Sequence, residues 1–198
     1  MQVLPAGRQG LLVELDDPAL VPALYADVRR DLGCRDVVPG ARTVLLDGPD
    51  DVAGARAYLA AWGPSRPSQE REERVVELPT AYDGDDVDDV ARRWRMTRAE
   101  VVATHTATDF AVAFVGFAPG FAYCTGLPPG LAVPRLDRPR ARVPAGAVGL
   151  AGEYTGVYPS GSPGGWRLLG RTDAVLWDAG RDEPALLTPG TRVRFVEV

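Results

Sequence analysis

Apolar positions in the first third of the chain alternate between strand-like runs and helical spacing. GLLVEL, from Gly10 to Leu15, is short and apolar enough for a strand. From Pro18 to Leu32, Leu20, Leu24, Val28 and Leu32 recur on one helical face, and Gly33 supplies a stop. Thr43 to Leu46 reads as a buried strand and Gly48-Pro49 as a turn. Asp50 to Trp62 reads as a helix carrying Val52, Ala55, Leu59 and Trp62 on one side. These elements make a small α+β unit.

Between Gly63 and Glu73 the text becomes GPSRPSQEREE, polar and without an apolar period, so a linker is expected there. The predicted domains are residues 1–66 and 70–198. Arg74 to Leu78 resumes as a strand. The stretch Asp85 to Trp94 then places Val87, Val90, Ala91 and Trp94 on one helical face, with early aspartates suited to the positive end of the helix dipole. Thr97 and Glu100 have capping-box spacing and predict a second helix to about His105. Beyond Asp109 the pattern is of short strands and loops: DFAVAFVGF, a long Gly/Pro region, WRLLG, AVLW and RVRFVEV. A closed or barrel-like β domain is the natural packing for so many short strands.

Charge narrows the function. The formal net charge is -5, with 22 basic residues, all of them arginine. An acidic balance argues against a broad nucleic-acid or anionic-membrane surface. The lack of lysine excludes a Walker-type phosphate lysine, a Schiff-base lysine and a biotin-attachment lysine, so no covalently bound cofactor is expected. Cys34 and Cys124 form no CxxC pair and, with one histidine, cannot complete a four-ligand zinc site. The opening MQVLPAGRQG has no signal-like apolar core and no run of eighteen apolar residues occurs, so a cytoplasmic protein without membrane association is expected.

Candidate chemistry gathers between His105 and Thr172. The aspartates from Asp83 to Asp89 lack the spacing and terminal glutamate of a calcium loop and read as a solvated helix start. Phe117, Pro119 and Gly120 belong to a Pro-Gly turn flanked by aromatics, which can wall a pocket or simply pack. Arg135, Arg138, Arg140 and Arg142 alternate along an expected extended strand, where guanidinium forks could take carboxylate or phosphate or remain solvated. The loop from Tyr158 to Trp166, followed by Arg171 and Thr172, has the length of a ligand-facing segment. His105 could complete a core or serve as the acid or base of a site lacking lysine.

Four motifs in order, HTATDFAVAFVGFAPGFAY, PRARVPAG, AGEYTGVYP and SPGGWRLLGRT, make the chain resemble the allophanate hydrolase subunit 1 family. That family includes a component of bacterial 5-oxoprolinase and the KipI sporulation-kinase inhibitor. The resemblance implies a small N-terminal α+β domain followed by a cyclophilin-like β-barrel. It also implies a larger homologous sister subunit, with a third subunit in 5-oxoprolinase, and a small-molecule substrate. The implied activity is opening of 5-oxoproline to glutamate, with ATP as co-substrate, accompanied by magnesium. Carried over by motif, the expected catalytic residue is His105. The expected substrate-binding residues are Phe117, Pro119, Gly120, Arg140, Tyr158, Gly164, Gly165, Trp166 and Arg171. Other readings are a KipI-like inhibitor of a histidine kinase and a carboxyltransferase-related subunit acting on a urea-like substrate. Tyr154 stands where the family's GGQTGIYP text has glutamine, and Ala147 stands for the serine of AGSV.

Overall fold

The computed structural model describes residues 1–63 and 74–198, which form two compact units, Met1–Glu72 and Glu73–Val198. The expected linker lies almost wholly outside the described residues.

The first unit has β1 (Gln2–Ala6), β2 (Gly10–Glu14), a 3-10 turn over Pro18–Leu20, α1 (Val21–Asp31), β3 (Cys34–Pro39), β4 (Thr43–Pro49) and α2 (Val52–Ala61). Its antiparallel sheet runs β1-β2-β4-β3. Leu11, Val13, Val44 and Leu46 meet Leu24, Val28 and Leu59 in one core. Full burial of each such side chain contributes roughly 1.5–3 kcal/mol. The helix expected from Pro18 begins regularly only at Val21, because Asp17 caps a tighter 3-10 turn by accepting the Ala19 N–H at 2.9 Å. Asp51 caps α2 in the same way through Ala53.

Gly48-Pro49 is not a turn. Both residues extend β4, with Pro49 opposite Cys34. The missing proline N–H is tolerated there because pairing with β2 ends at Leu46.

The second unit has β5 (Val75–Thr80), α3 (Val87–Trp94), α4 (Arg98–Ala107), β6 (Phe110–Val115), β7 (Ala122–Thr125), β8 (Arg140–Val143), β9 (Ala147–Ala151), β10 (Tyr154–Val157), β11 (Ser162–Gly164), β12 (Arg167–Arg171) and β13 (Arg192–Glu197). Seven strands form one sheet in the order β12-β9-β10-β7-β6-β13-β5. Among these strands, only β13 and β5 pair in parallel. Just beyond β5, Ala81 and Arg171 exchange two backbone hydrogen bonds of 2.9 Å. The sheet therefore nearly closes on itself, as the barrel expectation required.

The capping box of α4 is present: Glu100 N–H donates to Thr97 Oγ1 at 3.3 Å, and Thr97 N–H donates to Glu100 at 2.7 Å. Two strand expectations need correction. AVLW makes only an isolated bridge between Trp177 and Ala185, its apolar character being used by Leu176 in the barrel core. The arginine-rich segment is a strand only over Arg140–Val143, since Pro134 and Pro139 remove ladder donors before it.

Candidate functional site

The sharp turn after β6 shapes a concavity on the barrel unit. Gly116 N–H donates to the Phe121 carbonyl at 3.2 Å, and Phe121 N–H donates to that of Ala118 at 3.0 Å. Gly120 has φ +82, and a Cβ there would lie 2.8 Å from Cβ of Trp177. Phe117 also adopts a positive φ, +70, although it is not glycine, and its ring is 63% exposed. A bulky side chain held this way costs about 1–3 kcal/mol, and such outliers gather where a backbone is shaped for use. Val115, Phe117, Pro119, Trp177, Thr188 and Pro189 border a concavity of about 390 Å³. Among the described residues, no charged side chain lines it.

Phe117, Pro119 and Gly120 thus share one place, whereas Tyr158 and Trp166 lie inward. Phe121 meets both edge-to-face with centroids 5.2 Å away, and Phe117 touches this cluster through Phe121 at 5.3 Å. Tyr158 is 1% exposed and Trp166 4%. Gly164 lies flat against Tyr158, where a Cβ would collide with the hydroxyl. Burial raises the Tyr158 pKa, opposed by the Trp166 backbone and the charges of Arg135 and Arg140. These residues support the wall of the concavity from behind. Gly165 packs beside Pro139, 3.6 Å from where its Cβ would stand.

The two arginines expected to hold substrate anions have other partners. Arg140 Nη2 lies 2.9 Å from Asp86 and 3.9 Å from Asp85, and Arg171 pairs with Asp83. Arg167, which is buried, places Nε 2.5 Å from Asp89. Asp86 accepts the Leu168 N–H as well, at 2.7 Å. Hydrogen bonds from Arg167 and Arg93 hold the Asp89 carboxyl well below the usual range. The acidic run is therefore more than a solvated helix start: it straps the segment before α3 onto β12, where the barrel closes. The charges of Arg140 and Arg171 are thereby neutralised within the chain.

His105 requires the clearest correction. It is 0% exposed and stands in the core, 5.0 Å from Phe110 and 4.4 Å from Phe195 between ring centroids. Its Nδ1 is 2.6 Å from the Tyr82 hydroxyl and its Nε2 is 2.9 Å from Thr155 Oγ1. Thr155 donates onward to the Gly149 carbonyl at 3.3 Å. Nε2 must then carry the proton, and Nδ1 accepts from Tyr82. Burial pushes the imidazole pKa down to about 3. A neutral, fully bonded ring sealed from solvent is not placed to exchange protons with a substrate.

Sequence reasoning does not identify Trp177 and Thr188 as part of the concavity, nor Tyr82 and Thr155 as partners of His105. The one local signal is the lone polar Thr155 in an apolar strand, because a buried hydroxyl needs a partner.

The family described as "Carboxyltransferase domain, subdomain C and D" matches residues 1–187. The B component of 5-oxoprolinase from Escherichia coli O157:H7 is 42% identical, with 96% of this chain and 93% of the relative covered. The B component of 5-oxoprolinase from Haemophilus influenzae is 41% identical, with 99% and 97% covered. Among solved structures, that of TTHA0988 superposes with a TM-score of 0.76 at 36% identity, covering 96% of this chain. This chain spans only 40% of that longer polypeptide.

Proposed function

The chain belongs to the carboxyltransferase-domain family of subdomains C and D, and from that membership we propose that it is the B component of a 5-oxoprolinase complex. In this reading it acts with a larger homologous subunit and a third subunit to open 5-oxoproline to glutamate at the expense of ATP. The carrying observation is the near full-length similarity to two relatives that bear the name of that component.

The chemistry gives a reason for shared labour. A lactam carbonyl resists water, and phosphoryl transfer to its oxygen makes the carbon open to attack. Water oxygen then enters the new carboxylate, the ring nitrogen leaves as the amine, and phosphate departs. Such a path needs cations or N–H donors at the phosphoryl and carboxylate oxygens. The concavity beside Phe117 is suited to ring methylenes and has no charge of its own among the described residues. Its electrostatic complement would come from outside this lining. That a relative carries this fold as 40% of a longer chain supports such completion by further polypeptide.

Among the described residues, no three His, Cys, Asp or Glu side chains are grouped to hold a metal ion. In this reading magnesium would be carried by the nucleotide phosphates. In the same set no helix is long and apolar enough to cross a membrane.

Reconstitution with the larger and third subunits, followed by glutamate release from 5-oxoproline, tests the assignment. Release that requires ATP and all three chains is expected. An intact complex that releases none would overturn it.

A further inference from the structure

Arg135, Arg138 and Arg142 are exposed and take part in no ion pair among the described residues. This is unusual for the barrel unit, where Arg92, Arg93, Arg140, Arg167, Arg171 and Arg194 all lie against aspartates. Asp137 lies between them in sequence yet pairs with none of the three. In a chain of net charge -5, three unpaired guanidinium groups on one short segment form a local reversal of sign.

The fold brings this segment over the glycine-rich loop at residues 160–165. Leu136 N–H donates to the Gly165 carbonyl at 2.8 Å. In the β8–β11 pairing, Arg140 faces Gly164 and Val143 faces Ser162. Arg142 Nε lies 3.7 Å from the position a Cβ on Gly161 would take. At the other end, Arg135 immediately precedes Leu136, whose backbone is tied to Gly165, and Gly164 beside it lies flat against the Tyr158 ring. The loop is thus bracketed by Arg142 beside Gly161 and by the Arg135-Leu136 backbone at Gly165. It also holds one enclosed hydroxyl without a hydrogen-bond partner, Ser162 Oγ. Arg140 is withdrawn from this group by Asp86.

We infer that Arg135 and Arg142, with the glycine loop between them, form a binding site for a phosphoryl or carboxylate oxyanion. Guanidinium forks bind such groups bidentately, and glycines let an anion approach the backbone closely. The site is separate from the uncharged concavity beside Phe117. It replaces Arg140 and Arg171 as the chain's anion-holding residues, and it does not depend on which reaction the complex performs. The oxyanion could belong to a nucleotide or to an acidic substrate.

Isothermal titration of the full chain at low salt, with inorganic pyrophosphate and separately with 5-oxoproline, tests this. At least one probe is expected to bind. Arg135→Gln and Arg142→Gln are each expected to weaken it about tenfold, while Arg56→Gln, an exposed change in the first unit, leaves it unaltered. Arginine-dependent binding of pyrophosphate identifies the phosphoryl source, and arginine-dependent binding of 5-oxoproline alone identifies the carboxylate source. Neither probe binding, or equal binding by the Arg135→Gln/Arg142→Gln double variant, would overturn the proposal. The readout needs neither turnover nor partner subunits, so its failure is distinguishable from failure of the complex assignment.

Discussion

Nε2 of His105 lies 2.9 Å from Oγ1 of Thr155, joining α4 to β10 through a hydroxyl that passes its own hydrogen to Gly149. Thr155→Val preserves shape while removing both bonds. It leaves a buried imidazole N–H unpaired, which costs about 1–3 kcal/mol. Urea unfolding should show that loss in the midpoint, with the slope unchanged.

The same ring makes stability depend on pH. Its folded pKa is about 3 against an ordinary 6.5, so between these values the unfolded chain binds a proton that the folded chain does not. Stability from this group is fully present above pH 6.5 and falls as pH decreases towards 3, by about 1.4 kcal/mol per pH unit. His105→Gln should flatten this part of the profile. An unchanged difference between pH 7 and pH 5 would show that the histidine does not carry it.

Barrel closure at Gly170 is the next point of leverage. A Cβ there would collide with the carbonyl oxygen of Ala81, the residue whose two hydrogen bonds to Arg171 join the ends of the sheet. Gly170→Ala must open that seam. The expected loss is about 1–3 kcal/mol, together with faster amide exchange at Ala81 and Arg171 than elsewhere in the barrel. Exchange rates unchanged at these two amides would contradict this account of closure.

Much of this is legible in the sequence, for identifiable reasons. Helical periodicity locates α1 to α3 because each buries one stripe, as Val87, Val90, Ala91 and Trp94 do. The capping box of Thr97 and Glu100 is local chemistry, readable from four consecutive residues. β1 escapes such reading because Pro5 interrupts a half-exposed strand that is tolerated only at a sheet edge. Site residues fail where their meaning depends on distant partners. Nothing local to Arg140 or Arg171 shows that Asp86 and Asp83 occupy them, and nothing local to His105 shows that Tyr82 and Thr155 enclose it. The turn from Gly116 to Gly120 is readable because its Pro-Gly chemistry is contained in five consecutive residues.

Asp86 and Arg140 offer a direct measure of how far the internal pairing matters. Asp86 bridges Arg140 and the Leu168 N–H, so Asp86→Ala removes two bonds and leaves the partly buried guanidinium uncompensated. Arg140→Gln removes the bond to Asp86 and a longer one, 3.5 Å, to the Trp166 carbonyl. A double-mutant cycle should return a coupling of about 0.5–3 kcal/mol, with Asp86→Ala the costlier single change. Zero coupling in thermal unfolding would mean that the arginine is free for a ligand after all.

Phe117 separates use from stability most sharply. Its ring is exposed, so truncation forfeits little buried area, while its φ of +70 is a conformation that glycine adopts without penalty. Phe117→Gly should therefore relieve strain at the turn, offset in part by greater freedom of the unfolded chain, and leave stability equal or up to about 1 kcal/mol higher. If the ring walls a working concavity, the same variant should reduce the rate of the reconstituted complex at least tenfold. Ala118 N–H donates to the Gly116 carbonyl at 2.9 Å across the turn, and retention of that geometry in the variant can be checked by the amide resonances of residues 116–121. A variant that is less stable and fully active would reverse both halves of the argument: the strained backbone would then be a packing solution, and the exposed ring would have no part in the reaction.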